Sequence, residues 1–322
     1  MGSPKPALTE DEMVERIRGT LVGGIRGDEL RDDAGLVAVP GGGSVVVSVD
    51  SVVEGVHFDL ALCSPADVGW KALMGALSDL AAMGAAPLGA LVALCVPFES
   101  ESALAVAVME GVAEAAEVAG CPIVGGDISA ADQLVVVITV MGTTGEAGDE
   151  PVPRSGAQPG DVVLVSGPCG RSAAGLRVLR AGAGAGASRD LISADLAAAY
   201  RRPVARLAAG MQMRRAGGNA MIDVSDGLAL DLHRLADASG VGFALTTVPI
   251  AEGATFDEAV GGGEDYELVM TVSEADLGQL MDGFAAAGLP APMRIGVITA
   301  DVSQRQLDGA DLGRHGWQHQ IG

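Results

Sequence analysis

Apolar residues follow two patterns along the first half of the chain: short β-branched runs and a longer alanine-rich stretch. Val45 to Val49 and Val135 to Met141 are β-branched runs, and Cys121 to Val124 is a third short apolar run that ends at two glycines. Such runs are typical of strands, whereas the Ala/Val/Glu-rich stretch from Ala103 to Ala119 is typical of a helix. The first half therefore predicts an α/β unit.

The second half repeats the alternation of strands and helices. The predicted elements are strand Asp161–Val165, a helix from about Arg171, a strand near Met221, a helix from about Leu228, and strands Glu267–Val272 and Arg294–Thr299. Between the halves, the stretch from Gly145 to Gly160 is rich in glycine, proline and acidic residues, as expected of a boundary. We predict a two-domain α/β (α+β) protein, with domains at residues 1–145 and 146–322.

The run AGAGAGA at residues 181–187 offers alternating glycines of the kind found in dinucleotide-binding loops. It follows a predicted helix, however, whereas such a loop must follow a strand and open a helix. We interpret the run as a flexible connector.

The sequence predicts neither a membrane span nor an export signal. The longest apolar run, Leu88 to Val96, lies between two prolines and is far shorter than the roughly 20 residues of a spanning helix. The N-terminus lacks the basic start and apolar core of a secretory signal. The four cysteines, at 63, 95, 121 and 169, form no CxxC pair and have no neighbouring histidines, so they predict buried thiols. We expect a cytoplasmic protein without membrane partners.

The formal net charge is −22 and the pI is near 4.3. Nucleic-acid binders need a basic surface to displace counterions from phosphate, so this charge disfavours nucleic acid as a partner. It also disfavours anionic membrane surfaces.

Acidic residues recur at predicted strand ends and turns. They are Asp32 with Asp33, Asp50, Asp79, Asp127, Asp223, Asp226, and Glu264 with Asp265. A single aspartate at such a place is usually a helix cap or a turn former. If several converge, two carboxylates about 4 Å apart repel by roughly 4 kcal/mol at an effective dielectric near 20, and a divalent cation would remove that cost. Oxygen ligands with few histidines favour Mg²⁺ or Mn²⁺.

Magnesium in turn suggests a phosphate substrate, although the sequence has no P-loop. Its two lysines, Lys5 and Lys71, do not follow a GxxxxG loop. If a nucleotide binds, metal must hold its phosphates. Gly125 and Gly126 would allow a close backbone approach to phosphate, and Arg154 could supply a bidentate contact. Each also has an ordinary interpretation, as a tight turn and as a solvated surface arginine.

Two aromatic side chains are further candidates. His57 lies just past a strand, where a histidine is more often a packing residue than a functional one. Trp317 lies in the polar C-terminal sequence HGWQHQ of a chain with only 3% aromatic residues. It could anchor the tail or stack on a flat ring, and composition does not decide between these roles.

Six stretches, in order, carry a resemblance to a known family: SVDSVVEGVHF, WKALMGALSDLAAMGAAP, IVGGD, RSGAQPGD, IDVSDGLALDL and GGGEDYEL. Over about residues 30–320 the chain closely resembles the thiamine-monophosphate kinases. The resemblance implies Mg²⁺-dependent phosphoryl transfer from ATP to thiamine monophosphate, directly and without a phosphoenzyme. It also implies the two-domain architecture of aminoimidazole ribonucleotide synthetase, and a homodimer paired through the N-terminal sheets.

The resemblance assigns roles to individual residues. The implied magnesium ligands are Asp33, Ser48, Asp50, Asp79, Asp127, Asp223 and Asp226. The implied ATP contacts are Gly126, Asp127, Arg154 and Ser225. The implied contacts to the thiamine part are His57, Glu264 and Trp317, with the tryptophan stacked on a ring. We expect Asp231, by contrast, on the exposed side of the helix from Leu228, without a metal.

The sequence departs from the family pattern at four positions. Val49 replaces a hydroxyl residue, Arg31 replaces a glycine, Ala76 replaces an asparagine, and Gln320 replaces an aromatic residue. Two alternatives stay open: another ATP-using enzyme of the same superfamily, and a degenerate paralogue that binds nucleotide without turnover. The departures at Val49, Arg31 and Ala76 keep the second of these open. The set of His57, Glu264 and Trp317 argues against the first of these.

Overall fold

The computed structural model describes residues 8–20, 32–40, 43–145, 149–182 and 191–321. The strands are β1 (Leu8–Thr9), β2 (Gly35–Ala38), β3 (Ser44–Val53), β4 (Ala86–Pro97), β5 (Ile123–Ala131), β6 (Val135–Thr143), β7 (Val162–Val165), β8 (Ala220–Asp223), β9 (Gly242–Leu245), β10 (Leu268–Val272), β11 (Met293–Thr299), β12 (Arg305–Leu307), β13 (Ala310–Asp311) and β14 (Gln320–Ile321). The helices are α1 (Glu10–Thr20), α2 (Pro65–Ala82), α3 (Ser102–Ala119), α4 (Arg171–Gly182), α5 (Leu191–Arg201), α6 (Leu207–Arg215), α7 (Leu228–Ser239), α8 (Phe256–Gly261) and α9 (Leu277–Ala286). Within these ranges, no helix has the length and apolar character needed to cross a membrane.

The first half of the chain forms a five-stranded sheet in the order β2-β3-β6-β4-β5. Its neighbours are antiparallel except for β4 and β5, which are parallel. Ile138 and Val140 of β6 pack with Leu73 of α2 in one core, so the helices cover this face. The opposite face stays partly open, with the side chain of Val49 62% exposed.

The second half forms a seven-stranded sheet in the order β13-β12-β9-β11-β7-β10-β8. Its interior strand β7, between β11 and β10, is buried throughout. Val163 packs with Leu232 of α7 on one face, whereas Leu164 packs with Met213 of α6 on the other. Burial on both faces explains why this strand is a continuous apolar run rather than an alternating one.

Helix α2 packs between the two halves. A capping box starts it, because the Ser64 side chain accepts from the Asp67 N–H and the Asp67 side chain accepts from the Ser64 N–H. Its last turn joins the core of the second half, where Gly210 of α6 comes so close that an added Cβ would lie 2.0 Å from the Ala81 carbonyl oxygen. A helix of the first domain is thereby fixed against the second.

The predicted strands and helices are confirmed, and so is the two-domain α/β class. We expected the acidic residues at strand ends and turns, and this prediction was wrong for three of them. Asp50 and Asp127 lie inside β3 and β5, because both strands are longer than their apolar runs, and Asp79 lies in α2. Of the AGAGAGA run, residues 181–182 complete α4, and 183–187 lie outside the described residues, as does Arg31.

The two ends of the chain meet in a small antiparallel sheet. Leu8 of β1 pairs with Ile321 of β14, and α1 follows directly. The Asp11 carboxylate of α1 accepts a hydrogen bond from Arg234 of α7 at 3.2 Å. This pairing places α1 beside the C-terminal segment, at the edge of the cavity described next.

Candidate active site

A cavity of about 1140 Å³ lies between the two halves. Its lining carries twelve carboxyl side chains and five arginines. Predicted site residues from both domains border it: Asp33, Asp50, His57, Asp79, Arg154, Asp223, Ser225, Asp226, Glu264 and Trp317. The structure therefore brings ten of the thirteen predicted site residues to one cleft, with Ser48 in direct contact with Asp79.

Three of the carboxylates that line the cavity form a cluster. Asp33 precedes β2, Asp79 lies in α2 and Asp223 ends β8, and one oxygen of each lies within 4.8 Å of the others. Two hydroxyls hold them in place: Ser48 donates to Asp79 at 2.5 Å and Ser78 donates to Asp223 at 2.6 Å. The cluster thus combines one group of the second domain with two of the first.

Burial and mutual repulsion oppose ionisation of this cluster. Burial raises the pKa of Asp79 well above its usual range, and the neighbouring Asp223 raises it further. Burial likewise raises the pKa of Asp223, with Asp33 as the next cause. Burial also raises the pKa of Asp50 to about 6. These shifts mark a site where negative charge is costly without a cation.

Two arginines already compensate part of the charge. Arg154 donates from its backbone N–H to Asp32 at 2.7 Å and from its guanidinium to Asp33 at 2.7 Å. Arg234 of α7 donates to Asp226 at 2.5 Å and to Asp231 at 2.9 Å. Sequence reasoning missed Arg234, although its i,i+3 spacing from Asp231 on a predicted helix was a usable signal.

Asp231 does not lie on the exposed side of α7, so that expectation was wrong. The residue is fully buried, and its Oδ2 accepts hydrogen bonds from the backbone N–H groups of Asp226 at 2.9 Å and Gly227 at 3.0 Å. A carboxylate in the first helical turn satisfies N–H groups that have no intrahelical partner. Asp231 therefore shapes the loop that carries Ser225 and Asp226.

A second group of residues lies at another part of the cavity lining. His57 follows β3, and its Nδ1 accepts from the Val53 N–H at 3.1 Å, which leaves Nε2 as the protonated ring nitrogen. Burial lowers the pKa of His57, so the ring is neutral near pH 7. Trp317 is 56% exposed, and its backbone N–H donates to the Asp226 carbonyl. His319 connects them, with its ring centroid 5.2 Å from that of His57 and 6.0 Å from that of Trp317.

Glu264 lies on a tightly constrained loop after α8. Its φ of 65° is in the left-handed region, and Tyr266 has a φ of 51°. Between them, Asp265 accepts from the backbone N–H groups of Gly170 and Ser172 at the start of α4. The Glu264 carboxylate accepts from Lys71 of α2 at 2.7 Å. From the sequence, Lys71 was considered only as a possible P-loop lysine and rejected in that role, so its contact with Glu264 was missed.

Gly126 and Asp127 do not join the cavity. They lie on β5, the edge strand of the first sheet, three strands away from β3. Gly126 aligns with Val92, Ile138 and Asp50 across the sheet. Three strand spacings correspond to about 14 Å. Within one chain, the GGD motif is therefore separate from the acidic cluster.

The departures from the family pattern fall at different places. Val49 borders the cavity and is largely exposed, whereas Ala76 is completely buried in α2. Gln320 belongs to β14, and its side chain lies outside the described residues. None of these three replaces a carboxylate of the cluster.

The fold and the paired domains define a class of protein. Residues 31–144 match the N-terminal domain of AIR synthase related proteins, and residues 158–307 match the C-terminal domain of the same proteins. The chain thus has the two-domain α/β architecture of the AIR synthase-related superfamily.

Individual relatives narrow this assignment. The thiamine-monophosphate kinase of Bacillus subtilis is 36% identical over 305 residues, covering 90% of this chain and 92% of the relative. That of Halobacterium salinarum is 33% identical, covering 95% and 100%. The solved structure of AaThiL complexed with AMPPCP and TMP has a TM-score of 0.85 at 28% identity and covers 98% of this chain and 100% of AaThiL. The chain belongs to the thiamine-monophosphate kinase family, which confirms the resemblance of its motifs.

Proposed function

We propose that this protein transfers the terminal phosphoryl group of ATP directly to the phosphate of thiamine monophosphate, giving thiamine pyrophosphate and ADP. One observation carries the proposal: the cluster of Asp33, Asp79 and Asp223 shares a cavity with the group His57, Glu264 and Trp317. The kinases that it resembles over nine-tenths of their length support the same activity. One solved relative, AaThiL, is complexed with AMPPCP and TMP.

We propose Mg²⁺ as the metal of the cluster, and the donor set fits it. The buried Asp33 Oδ2 has no hydrogen-bond partner among the described residues. The side-chain atoms of the cluster and of its two serine partners that could bind a metal are carboxylate and hydroxyl oxygens, which Mg²⁺ prefers. The residues that would hold the ions are Asp33, Ser48, Asp50, Asp79, Asp223 and Asp226. Bound there, magnesium would neutralise charge on the phosphates of the two substrates.

The remaining polar groups are assigned to the two substrates. Arg154 and Ser225 border the cavity beside the cluster, and we assign them to ATP. The protonated Nε2 of His57 offers a donor, Glu264 offers an acceptor, and Trp317 offers a ring face for the thiamine part. We therefore propose that the first domain, residues 1–145, supplies most metal ligands. The second domain, residues 146–322, completes the nucleotide and substrate sites.

We also propose a homodimer that pairs through the open face of the first sheet. Apolar side chains on this sheet remain exposed, including Val49 at 62%, Leu91 at 40% and Val124 at 58%. Exposed apolar patches of this kind are typical of protein interfaces. Asp127 of β5 pairs with Ala93 of β4, and Ala93 pairs with the half-buried Val137 of β6. Paired residues point to the same side of a sheet, so the Asp127 side chain also lies on the open face. Sedimentation velocity of the wild type and of a Leu91→Glu variant tests this, because the variant should dissociate.

We place the activity in the cytoplasm. The four cysteines form no disulfide, and three of them are buried. Unpaired buried thiols are ordinary in a reducing compartment, which supports this proposal.

A turnover assay tests the proposed reaction. Purified protein is incubated with ATP, MgCl₂ and thiamine monophosphate, and thiamine pyrophosphate and ADP are separated by chromatography. We expect stoichiometric formation of both products, and none with EDTA or with unphosphorylated thiamine as acceptor. ATP binding without product would favour the non-catalytic paralogue. ADP formation only with another acceptor would favour a different enzyme of the superfamily.

A further inference from the structure

Lys71 is a buried cation at the boundary of the proposed substrate site. Its side chain is 1% exposed, and it is the only lysine in the part of the chain that the structure describes. Nζ donates to Glu264 Oε2 at 2.7 Å and to the His57 carbonyl at 3.3 Å. It also lies 3.9 Å from the ring centroid of Tyr200. A lysine this deeply buried needs such partners, because an unpaired buried charge is costly.

These contacts join three separate parts of the molecule. Lys71 belongs to α2, His57 follows β3, and Glu264 comes from the loop after α8 in the second domain. The Glu264 backbone is fixed independently, since its N–H donates to the Ser225 carbonyl at 2.7 Å. Gly263 allows this approach, because an added Cβ would lie 2.6 Å from the same carbonyl oxygen. The loop is thus rigid, and only the direction of the Glu264 side chain remains to be set.

We propose that Lys71 is a positioning residue for the thiamine part of the substrate, holding the Glu264 carboxylate and the His57 segment at a fixed separation across the domain boundary. The inference rests on the proposed function. Among the described residues, the hydrogen bonds of the Glu264 carboxylate involve Oε2 only, so Oε1 remains for a ligand in the cavity. A carboxylate oxygen accepts hydrogen bonds, so the matching chemistry is an N–H donor of the aminopyrimidine rather than a phosphate.

The ammonium also determines which ligands the site accepts. An unpaired Glu264 would repel the anionic phosphate end of the substrate as well as attract its cationic ring. When it is paired with Lys71, the Glu264 carboxylate adds little net charge to the site and acts mainly as a directed hydrogen-bond acceptor. We therefore expect the loss of Lys71 to weaken recognition of thiamine monophosphate and to leave ATP binding intact.

Steady-state kinetics of three variants test this: Lys71→Met, Glu264→Gln and the double variant. Lys71→Met should raise KM for thiamine monophosphate by about tenfold, the effect of losing one charge-assisted hydrogen bond, with KM for ATP unchanged. If Lys71 acts through Glu264, the double variant should have the same KM as Glu264→Gln alone. Should Lys71→Met fail to fold, the double variant still decides, because it leaves neither charge unpaired.

Arg202→Met is the matched control. Arg202 follows α5 and forms a salt bridge at 2.7 Å with Asp67 of α2, the helix that carries Lys71, away from the cavity. It should lower Tm without changing either KM. Equal rises of both KM values in Lys71→Met, or a double variant worse than Glu264→Gln, would show a merely structural lysine and overturn the inference. An active wild type with unchanged variants would overturn this inference alone, whereas an inactive wild type would overturn the proposed function with it.

Discussion

Replacing Asp79 by asparagine should stabilise the metal-free protein and abolish its response to magnesium. Asp79 lies within 4.8 Å of Asp33 and Asp223. At an effective dielectric near 20, two unit charges at that distance repel by roughly 3.5 kcal/mol. The raised pKa values of Asp79 and Asp223 mean that partial protonation already relieves some of this repulsion. We therefore expect a gain of about 1–3 kcal/mol in the free energy of unfolding, which corresponds to roughly 1.5–4.5 °C in Tm.

The gain should depend on pH with a defined sign. Because burial raises the folded-state pKa of Asp79 well above its usual range, the protonated carboxyl is favoured in the folded state. Stability from this source is fully present below the unfolded pKa and is lost as pH rises through the folded pKa. The asparagine variant does not titrate there. Its advantage over the wild type should thus be small at low pH and grow as pH increases.

Magnesium should reverse the order of stability. A ligand that binds only the folded state stabilises by about 2.7 kcal/mol at a concentration 100 times its Kd. The wild type should show this rise in Tm, whereas the variant lacks one charged ligand of the cluster. Thermal unfolding followed by fluorescence or calorimetry, in EDTA and across a MgCl₂ titration, measures both effects. Turnover of the variant should fall sharply at every magnesium concentration.

Asp67→Asn is the control for this experiment. It lies on the same helix, but its carboxylate is paired with Arg202 at 2.7 Å and does not border the cavity. Its loss should lower Tm equally with and without magnesium. A lower Tm for Asp79→Asn in EDTA would refute the reasoning, because the hydrogen bond from Ser48 would then outweigh the repulsion. An unchanged response to magnesium would refute the assignment of Asp79 as a ligand.

Three further predictions concern single side chains. Asp231→Ala should lower the free energy of unfolding by about 2–4 kcal/mol in urea titrations, since two buried N–H groups lose their acceptor, and an effect below 0.5 kcal/mol would contradict the role assigned to it. Trp317→Ala should raise KM for thiamine monophosphate more than KM for ATP, and equal changes would argue against stacking. Asp127→Asn should sharply reduce turnover. If Asp127 acts in the cavity of a dimer partner, mixing this variant with inactive Asp79→Asn should restore part of the activity, and no restoration would argue against such sharing.

Local pattern was enough to predict most elements of the fold. The β-branched runs at Val45–Val49 and Val135–Met141 became β3 and β6, and the apolar run at Asp161–Val165 became β7. Strand length was harder, because β3 continues to Val53 through Asp50 and Ser51. Ladder hydrogen bonds to β6 sustain the strand through these polar residues, and no local preference shows them.

The sequence identified the residues of the acidic site but not their arrangement in space. The motifs drew attention to Asp33, Asp79 and Asp223, but their convergence depends on how the second sheet packs against α2. The same limit explains the error at Asp231. An aspartate in the first turn of an amphipathic helix is usually solvated, and only the return of the chain at residues 224–227 buries it against backbone N–H groups.

Helix α2 connects the two parts of the proposed site, the acidic cluster at Asp79 and the thiamine contacts near Lys71. Lys71, Gly75 and Asp79 are spaced four residues apart and therefore share one face of the helix. Gly75 lies between the two polar groups, where an added Cβ would be 3.0 Å from the Tyr266 hydroxyl and 3.3 Å from the Asp50 carboxylate. Eight residues of helix span about 12 Å. Because α2 is capped at one end and packed into the second domain at the other, one helix sets the separation between the acidic cluster and the proposed pocket for the thiamine part. If the proposed function is right, a substrate must match that length to place its phosphate at the cluster.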